Sequence, residues 1–197
     1  MSGWMYSDVV KDHFMNPRNI LGDEENYRDD GKGIVGNIKC GDQMLVVIKV
    51  EEDVISECKW KTYGCASAIA STSILSEAVT GMDLGTAYNI KPKDIADRLG
   101  GLPERKIHCS VLGDKALRGA IEDYYTRTGQ TDRIVGEEAT TICQCMNVTD
   151  KDIEGAVKDG ARTYEDIQNR TKAGTVCGQC REETEVLLHQ YVHLYAE

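Results

Sequence analysis

Residues 43–63 read QMLVVIKVEEDVISECKWKTY, and their pattern decides the first part of the fold. Gln43 to Val50 and Val54 to Tyr63 are runs rich in Val and Ile, joined by Glu51-Glu52-Asp53. Two such runs parted by a short polar turn specify an antiparallel hairpin. The second run alternates: Val54, Ser56, Cys58, Trp60 and Thr62 fall on one face, and Glu57, Lys59 and Lys61 on the other. That period of two sets one face on a core and one in water. Cys58 shares the face of Val54 and Trp60, so it reads as a packing residue.

Helical patterns lie on both sides of the hairpin. Tyr6 to Met15 carries Val9, Val10 and Phe14 at helical spacing, and Pro17 stops it. Gly22 to Gly41 is glycine-rich and polar and reads as loop. Ala66 to Val79 reads as a helix with Ile69, Ser73, Leu75 and Ala78 as its buried stripe and Gly81 as its stop. Lys93 to Leu99 is a shorter helix ended by Gly100-Gly101. Ser110 to Arg127 is amphipathic, with Leu112, Ala116, Ala120, Ile121 and Tyr124 on one side. Residues 1–127 therefore form an α+β domain, a small antiparallel sheet with packed helices.

Residues 128–141 are polar and unpatterned and read as a linker. Residues 142–197 form a second, mainly helical domain. Thr149 and Asp152 make a capping pair for a helix ending at Gly160, Thr163 caps another, and Arg181 to Tyr195 is a third. So small a domain needs a staple to be stable.

The chain has 197 residues and a formal charge of −10, with acid exceeding base in both halves. Phosphate neutralisation requires cations, so nucleic acid is excluded as a partner, and an anionic membrane surface would repel the chain. The longest wholly apolar run, Met44 to Ile48, is far short of the roughly 20 residues that span a bilayer. With no apolar leader, the expected compartment is the cytoplasm. There, eight cysteines signify ligands or reactive groups rather than disulfides.

Seven of them sit in loops or at element ends. Cys40 precedes a strand in Gly36-Asn37-Ile38-Lys39-Cys40-Gly41-Asp42, and Cys65 and Cys109 each directly precede a helix. A helix N-terminus favours thiolate, and Lys39, Lys106 and His108 add positive charge. Their spacing carries no metal signature, so placement alone leaves open a common metal or sulfur site and three unrelated thiols. By the same measure, Asp42 alone is a turn residue and His108 a surface or capping residue.

The stretches Tyr6-Ser7-Asp8-Val9-Val10 through Asn16-Pro17-Arg18-Asn19, Gly36 through Asp42, Thr62-Tyr63-Gly64-Cys65 with Ser67-Ala68-Ile69-Ala70-Ser71, and Lys106-Ile107-His108-Cys109-Ser110-Val111-Leu112 occur in one order. Through them, residues 1–127 resemble the IscU/NifU iron–sulfur cluster scaffold family. The resemblance implies that Cys40, Cys65 and Cys109, with Asp42 and His108, build a labile cluster from iron and from sulfur delivered as persulfide by a cysteine desulfurase. It implies apo iron–sulfur proteins as clients, whether in nitrogen fixation or in housekeeping, and a homodimer. Three thiolates with a harder oxygen or nitrogen ligand leave one weak point for exchange. Two departures stand out. Ala66 follows the second cysteine where the family often has Gly. Leu102-Pro103-Glu104-Arg105-Lys106 replaces the family's Leu-Pro-Pro-Val-Lys, which argues against a dedicated DnaK-type chaperone.

Cys143-Gln144-Cys145 and Cys177-Gly178-Gln179-Cys180 form two chelating pairs. Four thiolates suit a 2Fe–2S cluster. The single spacer in one pair and the long gap between pairs fit zinc less well, though spacing leaves zinc or no metal open. This tail resembles the small domain of bacterioferritin-associated ferredoxin and of the middle of NifU, which implies that Cys143, Cys145, Cys177 and Cys180 hold a permanent 2Fe–2S cluster. The order of the two domains is that of NifU. Full NifU adds a third domain with its own C-x2-C, which these 197 residues do not include, so the expectation is either a two-domain variant or a shortened form. The expected role is a scaffold rather than an enzyme. The alternatives are a zinc-bound persulfide acceptor, against which His108 argues, and an electron carrier, which leaves Cys40, Cys65 and Cys109 unexplained.

Overall fold

The computed structural model describes residues 6–37, 42–101, 108–136 and 139–195, with only the backbone of residues 37, 42 and 108–111. The chain divides into two compact units, Met1–Ile134 and Val135–Glu197.

In the first unit, helix α1 (Asp8–Met15) precedes a three-stranded antiparallel sheet of β1 (Gly31–Asn37), β2 (Asp42–Glu51) and β3 (Val54–Thr62), in that spatial order. Helices α2 (Ala66–Val79), α3 (Leu84–Tyr88), α4 (Pro92–Arg98) and α5 (His108–Arg127) follow. The expected hairpin is β2–β3, with Met44 opposite Thr62 and Glu51 opposite Val54. Its turn places Glu52 and Asp53 at φ 50° and 66°. A two-residue turn with both φ values positive matches the twist of its strands. Arg133 grips both Asp53 carboxylate oxygens, at 2.6 and 2.8 Å, and holds that carboxyl below its usual pKa.

The inner face of the sheet (Met44, Val46, Ile48, Cys58, Trp60) is buried. Burial pushes the Cys58 thiol up to about 12, as befits a packing residue. Leu45 and Val47 on the outer face are covered by Leu21 and Tyr27. Beyond β3, the Leu21 N–H donates to the Trp60 carbonyl (2.7 Å) and Ile20 bridges to Trp60, so that edge is occupied.

The loop expected over residues 22–41 is corrected: Gly31–Asn37 is a strand, paired with β2 from Gly31 opposite Ile48 to Asn37 opposite Asp42. Its glycines serve close approach. A Cβ on Gly33 would lie 1.9 Å from the Ala116 carbonyl oxygen of α5, and one on Gly31 2.1 Å from that of Ala120. On the outer side of β1, the Lys32 N–H donates to the Asp123 carboxylate (2.8 Å), which also pairs with Arg127.

Helix faces differ from expectation in three places. In α1, Val10 and His13 are buried while Val9 is exposed. Helix α2 has no single stripe: Ser67, Ala68, Ala70, Ser71, Thr72, Ser73, Leu75, Ser76 and Val79 are all buried. Small side chains let α1, α5 and the sheet pack around it. In α5 the fully buried tyrosine is Tyr125, not Tyr124.

The second unit has a two-stranded ladder of β4 (Thr141–Cys143) and β5 (Val148–Thr149), then α6 (Asp150–Lys158), α7 (Tyr164–Thr171) and α8 (Arg181–Tyr195). Thr149 with Asp152 and Thr163 with Asp166 form reciprocal capping boxes. Ile153, Val157, Ala161, Ile167, Leu188 and Leu194 make its core.

Candidate functional site

Three chain segments reach the same end of the first sheet. The β1–β2 connection is one, because Asn37 at the end of β1 pairs with Asp42 at the start of β2. The β3–α2 turn is the second, since Thr62 pairs beside Met44 near the start of β2. Here the Thr62 hydroxyl donates to the Gln43 carbonyl (2.8 Å) and accepts the Gly64 N–H (3.0 Å). Cys65 is the N-cap of α2, exposed and outside any disulfide, as its place just before a helix led one to expect.

The N-terminus of α5 is the third. Gly31 lies on Ala120 and Gly33 on Ala116, so the helix runs back along the strand. From Gly33 to Asn37 the strand advances about 13 Å at ~3.3 Å per residue. From Ala116 back to His108 the helix covers about 12 Å at 1.5 Å per residue. The first turn of α5 is therefore level with the end of β1. His108 opens α5 and Cys109 lies inside its first turn, not ahead of it. Asp42 opens β2. Cys40 and the stretch 102–107 lie outside the described residues, and the side chains of Asp42, His108 and Cys109 are likewise not described.

The second unit brings its four cysteines together crosswise. Cys143 ends β4, Cys145 follows in the turn to β5, and Cys177 and Cys180 lead into α8. Cys145 Sγ lies 3.4 Å from Cys177 Sγ, and the Cys180 side chain is close enough to Cys143 to lower its pKa. The Cys145–Cys177 contact joins one member of each sequence pair. The Gly174 N–H, with those of Met146 and Cys145, holds the Cys143 thiol below its usual value. The Gln179 N–H does the same for Cys177. Hydrogen bonding to Cys177 raises Cys145, and burial raises Cys180. The turns are built for this approach: Gly178 has φ 72° and Gly174 φ 71°. A Cβ on Gly174 would stand 2.0 Å from the Tyr164 hydroxyl.

Among the described residues, no three His, Cys, Asp or Glu side chains converge on a point that could hold one metal ion. Four cysteine thiols, two of them in contact at 3.4 Å, are the donor set a 2Fe–2S cluster shares between its two irons.

A family model described as the NifU-like N terminal domain matches residues 5–131. The chain belongs to the NifU-like family. A second model, the BFD-like [2Fe-2S] binding domain, matches residues 141–190 and so includes all four cysteines of the second unit. The NifU-like chain is 38% identical over 190 residues to the nitrogen fixation protein NifU of Azotobacter chroococcum, covering 95% of its own length and 60% of that relative. It thus spans about three-fifths of the NifU proteins it matches. It is 47% identical over 130 residues to the iron–sulfur cluster assembly scaffold protein IscU 1 of Archaeoglobus fulgidus, covering 66% of its own length and 83% of the relative. A crystal structure of the N-terminal part of a NifU-like protein from Brucella abortus, 17% identical, aligns with a TM-score of 0.47 over 61% of this chain and 94% of that one. No helix among the described residues is long and apolar enough to cross a membrane.

Proposed function

We propose that this chain is a scaffold on which iron–sulfur clusters are assembled and from which they are passed to apo proteins. The observation that carries the reading is the meeting of the β1–β2 connection, the β3–α2 turn and the start of α5 at one end of the sheet. Those segments bear Cys40 and Asp42, Cys65, and His108 and Cys109.

The cluster built there is cargo. Three sulfur donors from three separate segments bind it, and Asp42 or His108 supplies a harder fourth ligand that exchanges more readily than thiolate. Cys65 is exposed at its helix end, open to a persulfide-bearing cysteine desulfurase. The six described cysteines are all free of disulfides, which suits a reducing cytoplasm.

In the second unit, Cys143, Cys145, Cys177 and Cys180 would hold a resident 2Fe–2S cluster. Bound there, it supplies one-electron storage. The protein's part is to present four thiols in two pairs, to aim the Gly174, Met146 and Gln179 N–H groups at sulfur, and to tie the chain ends of a small unit together.

The test counts iron, zinc and acid-labile sulfide anaerobically, before and after incubation with ferrous iron, cysteine and a cysteine desulfurase. Two irons as isolated, rising on incubation and falling when an apo ferredoxin is added, is the expected result. A count fixed at two irons leaves an electron carrier, and one zinc lost on mutating Cys65 leaves a persulfide acceptor. Either outcome removes the scaffold.

A further inference from the structure

Five threonines in or just beyond helices donate their hydroxyls to the carbonyl four residues back. They are Thr72, Thr80, Thr126, Thr128 and Thr171, at 2.7–2.9 Å. This is the ordinary outlet for a helical threonine. Thr184, in the first turn of α8, does not use it. Its amide donates to the Cys180 carbonyl at 2.9 Å, so the carbonyl is in place. Yet its side chain is wholly buried, and its hydroxyl completes no hydrogen bond among the described residues. A buried hydroxyl left so costs about 1–3 kcal/mol; those of Ser56 and Ser71 share that state in the first unit, and in the second unit Thr184 is alone in it among the described residues.

The amide bond sets Thr184 one helical turn beyond Cys180, and side chains four residues apart on a helix are neighbours; the Cys180 side chain is itself buried. A neutral thiol is a weak acceptor, whereas an anionic sulfur makes the stronger, charge-assisted kind of bond. We infer that Thr184 is a positioning residue whose hydroxyl donates to the Cys180 sulfur once that sulfur is an iron-bound thiolate, and that this bond raises the reduction potential of the resident cluster. The inference rests on the proposed cluster site of the second unit. When an external one-electron donor reduces the cluster, part of the added charge falls on the ligand sulfurs. No bond to Thr184 forms or breaks and its proton stays on Oγ1. The hydroxyl stabilises the reduced form more than the oxidised one, and hydrogen bonds to sulfur are among the factors that set such potentials.

The test is a dithionite titration of the whole chain as isolated, followed by absorption and electron paramagnetic resonance, for wild type, Thr184→Val and Thr184→Ser. Valine keeps the shape and removes the donor, and serine keeps the donor. The expected result is about a tenfold shift toward the oxidised form in T184V, which is ~59 mV for a one-electron couple, with T184S at the wild-type value. Loss of the cluster in a folded T184V with retention in T184S supports the same bond. Equal potentials in T184V and wild type at equal iron content overturn the inference, as does T184S behaving like T184V. A wild-type chain lacking its two irons would instead refute the underlying cluster site.

Discussion

Replacing Gly33 with alanine tests the seating of α5 on β1, the contact that brings the start of α5 level with the end of the sheet. The added Cβ would stand 1.9 Å from the Ala116 carbonyl oxygen and 2.5 Å from the Ala120 nitrogen. Both are backbone atoms of a continuous helix, so no side chain can swing aside. Since such contacts essentially never fall below 3.0 Å, the helix must lift from the strand by about 1.1 Å at least. Overpacking of this kind costs about 1–3 kcal/mol, and a backbone obstacle sets the expectation at the upper end. For a unit of this size, about 3 kcal/mol lowers the melting temperature by roughly 10 °C. The assay is thermal unfolding followed by circular dichroism, together with iron loading of the first unit. Gly22→Ala is the control, because its Cβ meets nothing within 4 Å. A G33A protein that melts with wild type and loads iron equally would refute the seating of α5 and the convergence derived from it.

Cys65→Ser should leave stability within about 0.5 kcal/mol, since serine is a good N-cap, while abolishing iron loading of the first unit; unfolding and iron assays on one sample separate the two. Burial, with the Arg18 charge, pushes His13 below its ordinary 6.5, so the unfolded chain takes up the proton first as pH falls. Its contribution is therefore full above about 6.5 and is lost below it, and urea midpoints compared between pH 7.5 and pH 5 should fall less in His13→Asn than in wild type. Gly174→Ala meets both the Tyr164 hydroxyl and a positive φ, and should release the second unit's iron to a chelator several-fold faster, read from the decay of visible absorption.

What the sequence revealed depended on how each element is stabilised. The β2–β3 hairpin was legible because its alternation reports a sheet with distinct faces. Strand β1 was not, because Gly31 and Gly33 are there to admit a helix backbone, and glycine in a polar stretch looks like loop. Helix α2 was legible in extent but not in facing: its buried residues are mostly Ser, Thr and Ala, selected by size rather than hydropathy. The five-residue α3 carries too little pattern to register. Cys65 was placed well because helix ends are marked in sequence. The crosswise meeting of Cys145 with Cys177 joins residues too distant for local pattern to reveal. Thr184 carried no signal at all, since what marks it is a hydrogen bond it does not make.

The Asp123 carboxylate on the Lys32 amide bears on self-association. An outermost strand offers a ready template on which a second polypeptide can add itself, and glycine-rich strands do little to hinder such growth. Here that rung is already filled from within, by an anion that Arg127 keeps in position. Removing it, as in Asp123→Ala, would uncover the template and favour aggregation.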